Sequence, residues 1–267
     1  MRFSVGNQRM VRNYFNTINH RGLGDTANDL AIYGGKIYVI VNVSSTVEVV
    51  DFRTGNSLKQ IQIQAENGSS REPRYIAFHK EKAYVCSYDG TVTRIDTTSL
   101  TIDGVASVGR NPDGICVQNG KLYISNSGGL DHASDSGVDN TFKEINKITV
   151  GSNPGKIVAG TDGTTVYVAT RGEDVEAGNY NFAKIDCQTN EVTHYNEKVQ
   201  NFAIDGEIAY LYNYNYSTQT SSIKTFNLKT GKTVRENFIT DGTSIDTPYG
   251  INVNPYSGNV YITDAYD

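Results

Sequence analysis

The stretch Arg71-Glu72-Pro73-Arg74-Tyr75-Ile76 recurs along the chain. It aligns with Arg110-Asn111-Pro112-Asp113-Gly114-Ile115, with Ser152-Asn153-Pro154-Gly155-Lys156-Ile157 and with Asp246-Thr247-Pro248-Tyr249-Gly250-Ile251. The prolines are 39, 42 and 94 residues apart, and 94 is two periods of 47. The copy skipped by the last interval falls near Gln200-Asn201-Phe202-Ala203-Ile204, where the proline is absent, and an earlier copy starts near Asn28-Asp29-Leu30-Ala31-Ile32. Self-similarity at such a period marks an array of identical supersecondary units.

Each copy continues in the same way. A turn leads to a β-prone strand with a tyrosine at its centre: Lys36–Ile40, Lys82–Cys86, Lys121–Ser125, Thr165–Ala169, Ile208–Tyr212 and Asn259–Thr263. Most copies then show a strand ending in an acid or amide and a turn, as in Val47-Glu48-Val49-Val50-Asp51 before Arg53-Thr54-Gly55. A more polar fourth strand closes the unit, as in Ser57–Ile63 and Lys232–Phe238. Four short strands per 40 to 47 residues read as the blades of an all-β β-propeller, in which neighbouring blades cover the faces that one blade cannot bury alone. The second strand belongs in the middle of each blade and the fourth at its polar edge. The repeats lie near 29–63, 74–109, 112–150, 155–196 and 200–240, within one domain spanning 1–267. Half-blades at 1–20 and 247–267 bring the total to about 24 strands, or six blades. The strands expected at Arg2–Val5 and Met10–Phe15 would join those at Gly250–Asn254 and Asn259–Asp264 in one composite blade. The third unit lacks a clear third strand: Gly128–Asn140 reads as a loop, leaving a three-stranded blade or a poor substitute.

Composition narrows the function. With 24 Lys and Arg against 29 Asp and Glu, the net charge is −5. Nucleic-acid binders need a basic face to replace counterions on phosphates, so none is expected as a partner. No apolar run approaches the length of a membrane span, and residues 1–20 hold no apolar core of a signal peptide. Cys86, Cys116 and Cys187 are odd in number and widely spaced, with no zinc or disulfide pattern. They are expected to be small buried residues.

The Asn-Pro openings, Tyr-Val second strands and strand-Asp-x-x-Thr-Gly turns resemble the YVTN or YncE-like propeller family. The opening Leu23–Leu30, followed by Tyr33–Asn42, and the ending Tyr261–Asp267 resemble more specifically the surface-exposed propeller lipoproteins of gut Bacteroidetes. That group includes propellers that capture cobalamin outside a TonB-dependent transporter. The resemblance spans essentially the whole chain. It implies nutrient capture on the extracellular face of the outer membrane, with a corrinoid as the named small-molecule ligand and the transporter as a partner. Family members carry a signal peptide with a lipidated cysteine and seven blades, about one blade more than is counted here.

Enzyme motifs are scarce: there is no G-x-S-x-G, phosphate loop or H-E-x-x-H. His20, His79, His132 and His194 are dispersed along the chain. No catalytic residue, cofactor or metal is therefore expected. The acidic loop Asp131–Asn140 has oxygen ligands of the kind calcium takes, but its spacing is not that of an EF-hand and a solvated loop is the plainer reading.

Binding residues are sought where loops meet at one end of the blades. The loops entering first strands present Asp25, Asn28, Arg71, Arg74, Asn111, Asp113, Asn153, Lys156, Asn201 and Tyr249; those leaving second strands present Asn42, Tyr88, Asn126, Arg171, Tyr214 and Tyr266. Tyr210, Tyr212, Tyr214 and Tyr216 alternate and so share one strand face, packing the core at one end and offering aromatic surface at the other. Asn111 and Asn153, each before proline, are read chiefly as turn formers. Asn42, Arg71, Arg74, Tyr88, Asp113, Asn126, Lys156, Arg171, Tyr212, Tyr214, Tyr249 and Tyr266 are the candidate ligand contacts. The expected function is non-catalytic ligand capture. The alternatives are a protein-interaction scaffold at the cell surface and a lactonase- or lyase-type enzyme with a metal in its central channel.

Overall fold

A computed structural model describes residues 2–4, 6, 9–128, 134–138, 142–172, 180–215 and 218–264, with the backbone alone at 2–4 and 134–138. The chain divides into two compact units, Met1–Ser107 and Val108–Asp267.

The first unit begins with β1 (Arg2–Ser4), β2 (Arg9–Val11) and α1 (Tyr14–Asn19). Then come β3 (Ala27–Tyr33), β4 (Lys36–Val41), β5 (Thr46–Asp51) and β6 (Ser57–Gln62), paired in that order as an antiparallel sheet. Strands β7 (Pro73–His79), β8 (Lys82–Ser87), β9 (Thr91–Asp96) and β10 (Ile102–Ser107) form a second sheet of the same order.

The second unit repeats the plan. One sheet holds β11 (Pro112–Gln118), β12 (Lys121–Asn126), β13 (Ser134–Val138) and β14 (Glu144–Ile148). The next holds β15 (Pro154–Ala159), β16 (Thr165–Thr170), β17 (Asn181–Asp186) and β18 (Val192–His194). A third holds β19 (Asn201–Asp205), β20 (Ile208–Asn215), β21 (Thr220–Asn227) and β22 (Lys232–Arg235). The last pair is β23 (Pro248–Val253) with β24 (Val260–Asp264).

Burial follows from the pattern of residues. The tyrosine-bearing strands β4 and β16 are apolar on both faces and are almost wholly buried, whereas the polar fourth strands β6, β10 and β22 are mostly exposed. The turn from third to fourth strand is one device used four times. Asp51, Asp96, Asp186 and Asn227 each accept backbone N–H bonds from the residues two and three ahead, at 2.7–3.0 Å. A left-handed residue then closes each turn: Gly55, Leu100, Asn190 and Gly231.

Packing between sheets also repeats. Tyr38 of β4 packs with Ile76 of β7, and its ring meets Phe78 edge-on at 5.0 Å. Tyr123 packs with Ile157, Tyr167 with Phe202, and Tyr210 against the cluster of Ile251. The three cysteines are buried and form no disulfide.

One expectation is corrected. Residues 14–19 form a helix, not the end of a strand: Asn19 Nδ2 donates to Phe15 O and to Gly55 O, and its Oδ1 accepts from Ser57 N, which pins α1 to the first four-stranded sheet. Of the two readings of the third blade, the second holds: the loop supplies β13, Ser134–Val138, between β12 and β14. At the two ends, β1 pairs with β2 and β23 with β24.

Candidate functional site

A recurring gate stands at the start of four of the first strands, three of which open on proline. The residue before the strand, Thr26, Glu72, Asn111 or Asn153, lies in the left-handed region with φ of 51–60°. Its carbonyl accepts an N–H from the residue just past the second strand: Asn42, Tyr88, Ser127 or Arg171, at 2.8–3.0 Å. Left-handed backbone costs a side-chain-bearing residue about 1–2 kcal/mol, least for asparagine, which explains Asn111 and Asn153. Asn153 adds a side-chain bond from Nδ2 to Gly172 O at 2.6 Å. In the last sheet an acid does this work instead: Asp264 accepts from Asp246 N and Thr247 N.

In the first unit, most of the candidates cross-brace this gate. Asn42 is buried and donates to Pro73 O at 3.0 Å. Asn28 Nδ2 donates to Arg74 O at 2.5 Å, and Arg74 donates back to Asn28 Oδ1. The Arg74 guanidinium lies 4.6 Å from the centre of the Tyr88 ring and 5.5 Å from that of Tyr75. Arg71 is mostly covered, held by Asp89 at 2.6 Å, Gln64 O at 3.1 Å and Thr91 at 3.3 Å. Asp29, which the sequence reading passed over, accepts from Ile76 N at 3.0 Å and ties the two sheets together. Nothing in its sequence context marks it.

In the second unit, glycine shapes the rim. A Cβ on Gly114 would lie 2.5 Å from Gly155 O and 2.6 Å from Ser125 Oγ, so only glycine admits this approach of β11 and β15. Ser125 uses the same closeness, donating to Gly155 O at 2.5 Å. Above side-chain-less Gly155 lies Arg171, whose Nη2 is 3.9 Å from Asp113 Oδ2. Asp113 is buried, while the Arg171 side chain is 55% exposed. Lys156 is half-buried on β15. Tyr249 is 74% exposed, and its carbonyl accepts from Asn201 Nδ2 at 3.0 Å.

Three other candidates in this unit are packing residues. Asn126 is buried against Gly109, and Tyr212 is buried in the cluster around Ile251. Tyr214 packs half-buried on the same cluster, with its N–H held by Gln200 Oε1 at 2.8 Å. The tyrosine ladder of β20 thus faces the next sheet. Tyr216, Tyr266 and the ends of the acidic loop, 131–133 and 139–140, lie outside the described residues. Gln200, which also donates to Tyr180 OH at 2.8 Å, stands where the fifth copy lacks its proline.

Each unit also carries a cleft. One of about 360 Å3 sits at the opposite strand ends of the second unit, lined in part by Asp162, Thr165, Lys184 and Lys229. Another, of about 370 Å3, lies in the first unit between α1 and the apolar face of Leu30, Ile37, Val39 and Val50. Among the described residues, no group of three or more His, Cys, Asp and Glu is placed to hold a metal, and no helix is long and apolar enough to cross a membrane.

Repeated four-stranded antiparallel units, four of them opening on the same gate between first and second strands, define a β-propeller. Solved structures agree on the fold. Kuenenia stuttgartiensis hydrazine synthase matches with a TM-score of 0.69 at 18% identity, over 86% of this chain and 70% of that one. The WD40 domain of Neurospora crassa Pan2 matches with a TM-score of 0.69 at 10% identity, over 89% and 72%. The computationally designed protein Ika8 matches with a TM-score of 0.58 at 14% identity, over 89% and 70%. The chain belongs to the family described as Domain of unknown function (DUF5074), whose model matches residues 1–266. No curated protein matches it.

Proposed function

We propose that this chain is a non-catalytic ligand-binding propeller that uses the rim of its second unit. The observation that carries this reading is Arg171: a half-exposed guanidinium laid over Gly155 and steadied by a buried carboxylate, Asp113. A cation held in this way keeps its orientation while leaving donors for a ligand, which lowers the ordering cost of binding. Exposed Tyr249 and half-buried Lys156 add an aromatic face and a second positive charge to the rim of the same unit. Such a set suits a broad planar ligand with acceptors at its edge.

By resemblance to the cobalamin-capturing surface propellers, a corrinoid is the ligand to try first. An outer-membrane transporter is the partner and the extracellular face of the outer membrane the location that go with it. The test is co-elution of cyanocobalamin with the purified protein on gel filtration, read by corrinoid absorbance, for the wild type and for Arg171→Ala with Tyr249→Ala. Binding by the wild type and its loss in the double variant support the reading. Undiminished binding in the double variant refutes this rim. No binding by folded wild type refutes the corrinoid.

A further inference from the structure

One position of the third strand changes its occupant from sheet to sheet. It lies two residues before the turn acid or amide, opposite the tyrosine of the second strand. Val49, Arg94, Lys184 and Thr225 hold it in β5, β9, β17 and β21, opposite Tyr38, Tyr84, Tyr167 and Tyr210. Val49 and Thr225 are buried neutral residues. The two cations differ in what meets them. Arg94 Nε donates to Asp103 Oδ1 at 2.6 Å, and Lys82 pairs with the same acid. Asp103 is the extra residue where the register of β10 shifts between Ile102 and Gly104. Strand β18 has no such extra residue: Val192 and Thr193 follow one another in register against Ile185 and Lys184. Lys184 thus stands in the place of Arg94 without the acid.

Lys184 is half-buried and makes no hydrogen bond or ion pair among the described residues. Asp186, two residues further along β17, feels its charge, but Asp186 Oδ1 accepts from Gln188 N and Thr189 N. Lys184 also lines the cleft of about 360 Å3 in the second unit. The acids of that cleft are already engaged. Asp162 accepts from Thr164 N, Thr165 N and Thr165 Oγ1 at 2.7–2.9 Å, and Glu207 pairs with Lys229 at 3.6 Å. The charge left over is positive. A cation drawn partly out of water costs free energy unless an acceptor meets it.

We infer that this cleft binds a small organic oxyanion, a carboxylate or a phosphate ester, whose charged group takes beside Lys184 the place that Asp103 takes beside Arg94. At roughly 30 Å3 per water molecule, the cleft has room for about a dozen, so the charged group enters with a carbon skeleton attached. The lining suits such a molecule: the Tyr167 ring offers an apolar wall, and Lys229 brings a second cation. The site shares no residue with the rim around Arg171, so its test is independent of the corrinoid test.

The experiment is brief acetylation of the full chain with acetic anhydride, read at each lysine by peptide mass spectrometry. It is run alone and with about 10 mM succinate or glycerol 3-phosphate, above the millimolar dissociation constant that a single charged anchor gives. Labelling of Lys184 is expected to fall about fivefold with at least one probe, while that of exposed Lys59 stays level. Protection by succinate alone assigns a carboxylate, and protection by glycerol 3-phosphate alone a phosphate ester. Calorimetric titration with the same probes is the second measurement. Binding is expected to weaken about tenfold or more in Lys184→Thr, which copies Thr225, and in Thr193→Asp, which supplies the missing acid from within the chain. Thr193 is exposed, and far-UV circular dichroism checks both folds. A wild type in which neither probe protects Lys184 or gives a binding isotherm overturns the proposal. So does binding that both variants leave unchanged.

Discussion

Arg21 Nη2 donates to both carboxylate oxygens of Glu48, at 2.8 and 2.9 Å, across the first four-stranded sheet. Glu48 is fully buried, and Ser57 Oγ also donates to it. Arg21 lies over the Phe15 ring at 5.0 Å, so one cation links α1 to an internal charge. Removing Arg21 leaves a buried acid with only a hydroxyl donor. Arg21→Ala is expected to cost about 1–3 kcal/mol, since the arginine is itself partly exposed. Adding Glu48→Gln should return part of that loss. Urea unfolding midpoints measure both, and a double variant no more stable than Arg21→Ala would disprove the coupling.

Phe182 lies at the centre of the largest aromatic cluster described. Its ring centre is 5.0 Å from Phe202, 5.7 Å from Tyr167 and Tyr195, and 5.9 Å from Phe226. The cluster joins the second and third sheets of the second unit. Phe182→Ala opens a cavity bordered by rigid rings that cannot collapse into it. A cost of about 3–5 kcal/mol is expected. Chemical denaturation checks it, and a loss under about 1 kcal/mol would mean that the cluster relaxes.

Gly114 permits the approach of two backbones. A methyl group there would meet Gly155 O at 2.5 Å, a main-chain carbonyl at the bulge of β15 that also accepts from Ser125 Oγ. Gly114→Ala should therefore destabilise by roughly 1–3 kcal/mol and displace Arg171 from its seat over Gly155. Gly22→Ala is the control: neither glycine has a positive φ, and a Cβ at Gly22 meets nothing within 4 Å. Thermal unfolding of the two variants separates crowding from the general cost of the substitution. Equal losses would argue that crowding at Gly114 is immaterial.

The repeat was legible because each of its marks sets backbone geometry. Proline starts the first strand behind a left-handed residue, tyrosine marks the strand packed between sheets, and Asp or Asn caps the third-to-fourth turn. These are local effects, so local sequence shows them. The strand β13 was not legible: Ser134-Asp135-Ser136-Gly137-Val138 has little strand preference, and it is held as a strand by ladders on both sides. Nor was α1, which depends on bonds from Asn19 to residues some 36 positions away. The candidate site was legible as a set of loops but not residue by residue. Asn42 and Asn126 look like surface groups in the sequence, and only the neighbouring residues reveal them as buried. Arg171 lies over Gly155, a relation between the ends of two strands.

The turn carboxylates predict an acid limb of stability. Backbone N–H bonds, first from Thr54, hold Asp51 below its ordinary value, and those of Thr189 and Gln188 do the same for Asp186. The Lys82 ammonium, followed by the Ser99 and Thr98 amides, lowers Asp96 furthest. A carboxylate whose folded pKa lies below its unfolded one stabilises the fold above the unfolded value, near 3.8, and loses that contribution as pH falls through the folded value. Stability should thus be level from pH 7 to about 5 and decline below about 4. Asn227 occupies the same turn position and makes the same bonds without titrating, so it shows what neutral replacements would do. The triple variant Asp51→Asn, Asp96→Asn, Asp186→Asn keeps the acceptors and removes the charges. Its unfolding midpoint, followed from pH 7 down to about 2.5, should fall less steeply than that of the wild type. Parallel acid limbs in the two proteins would place the acid sensitivity elsewhere.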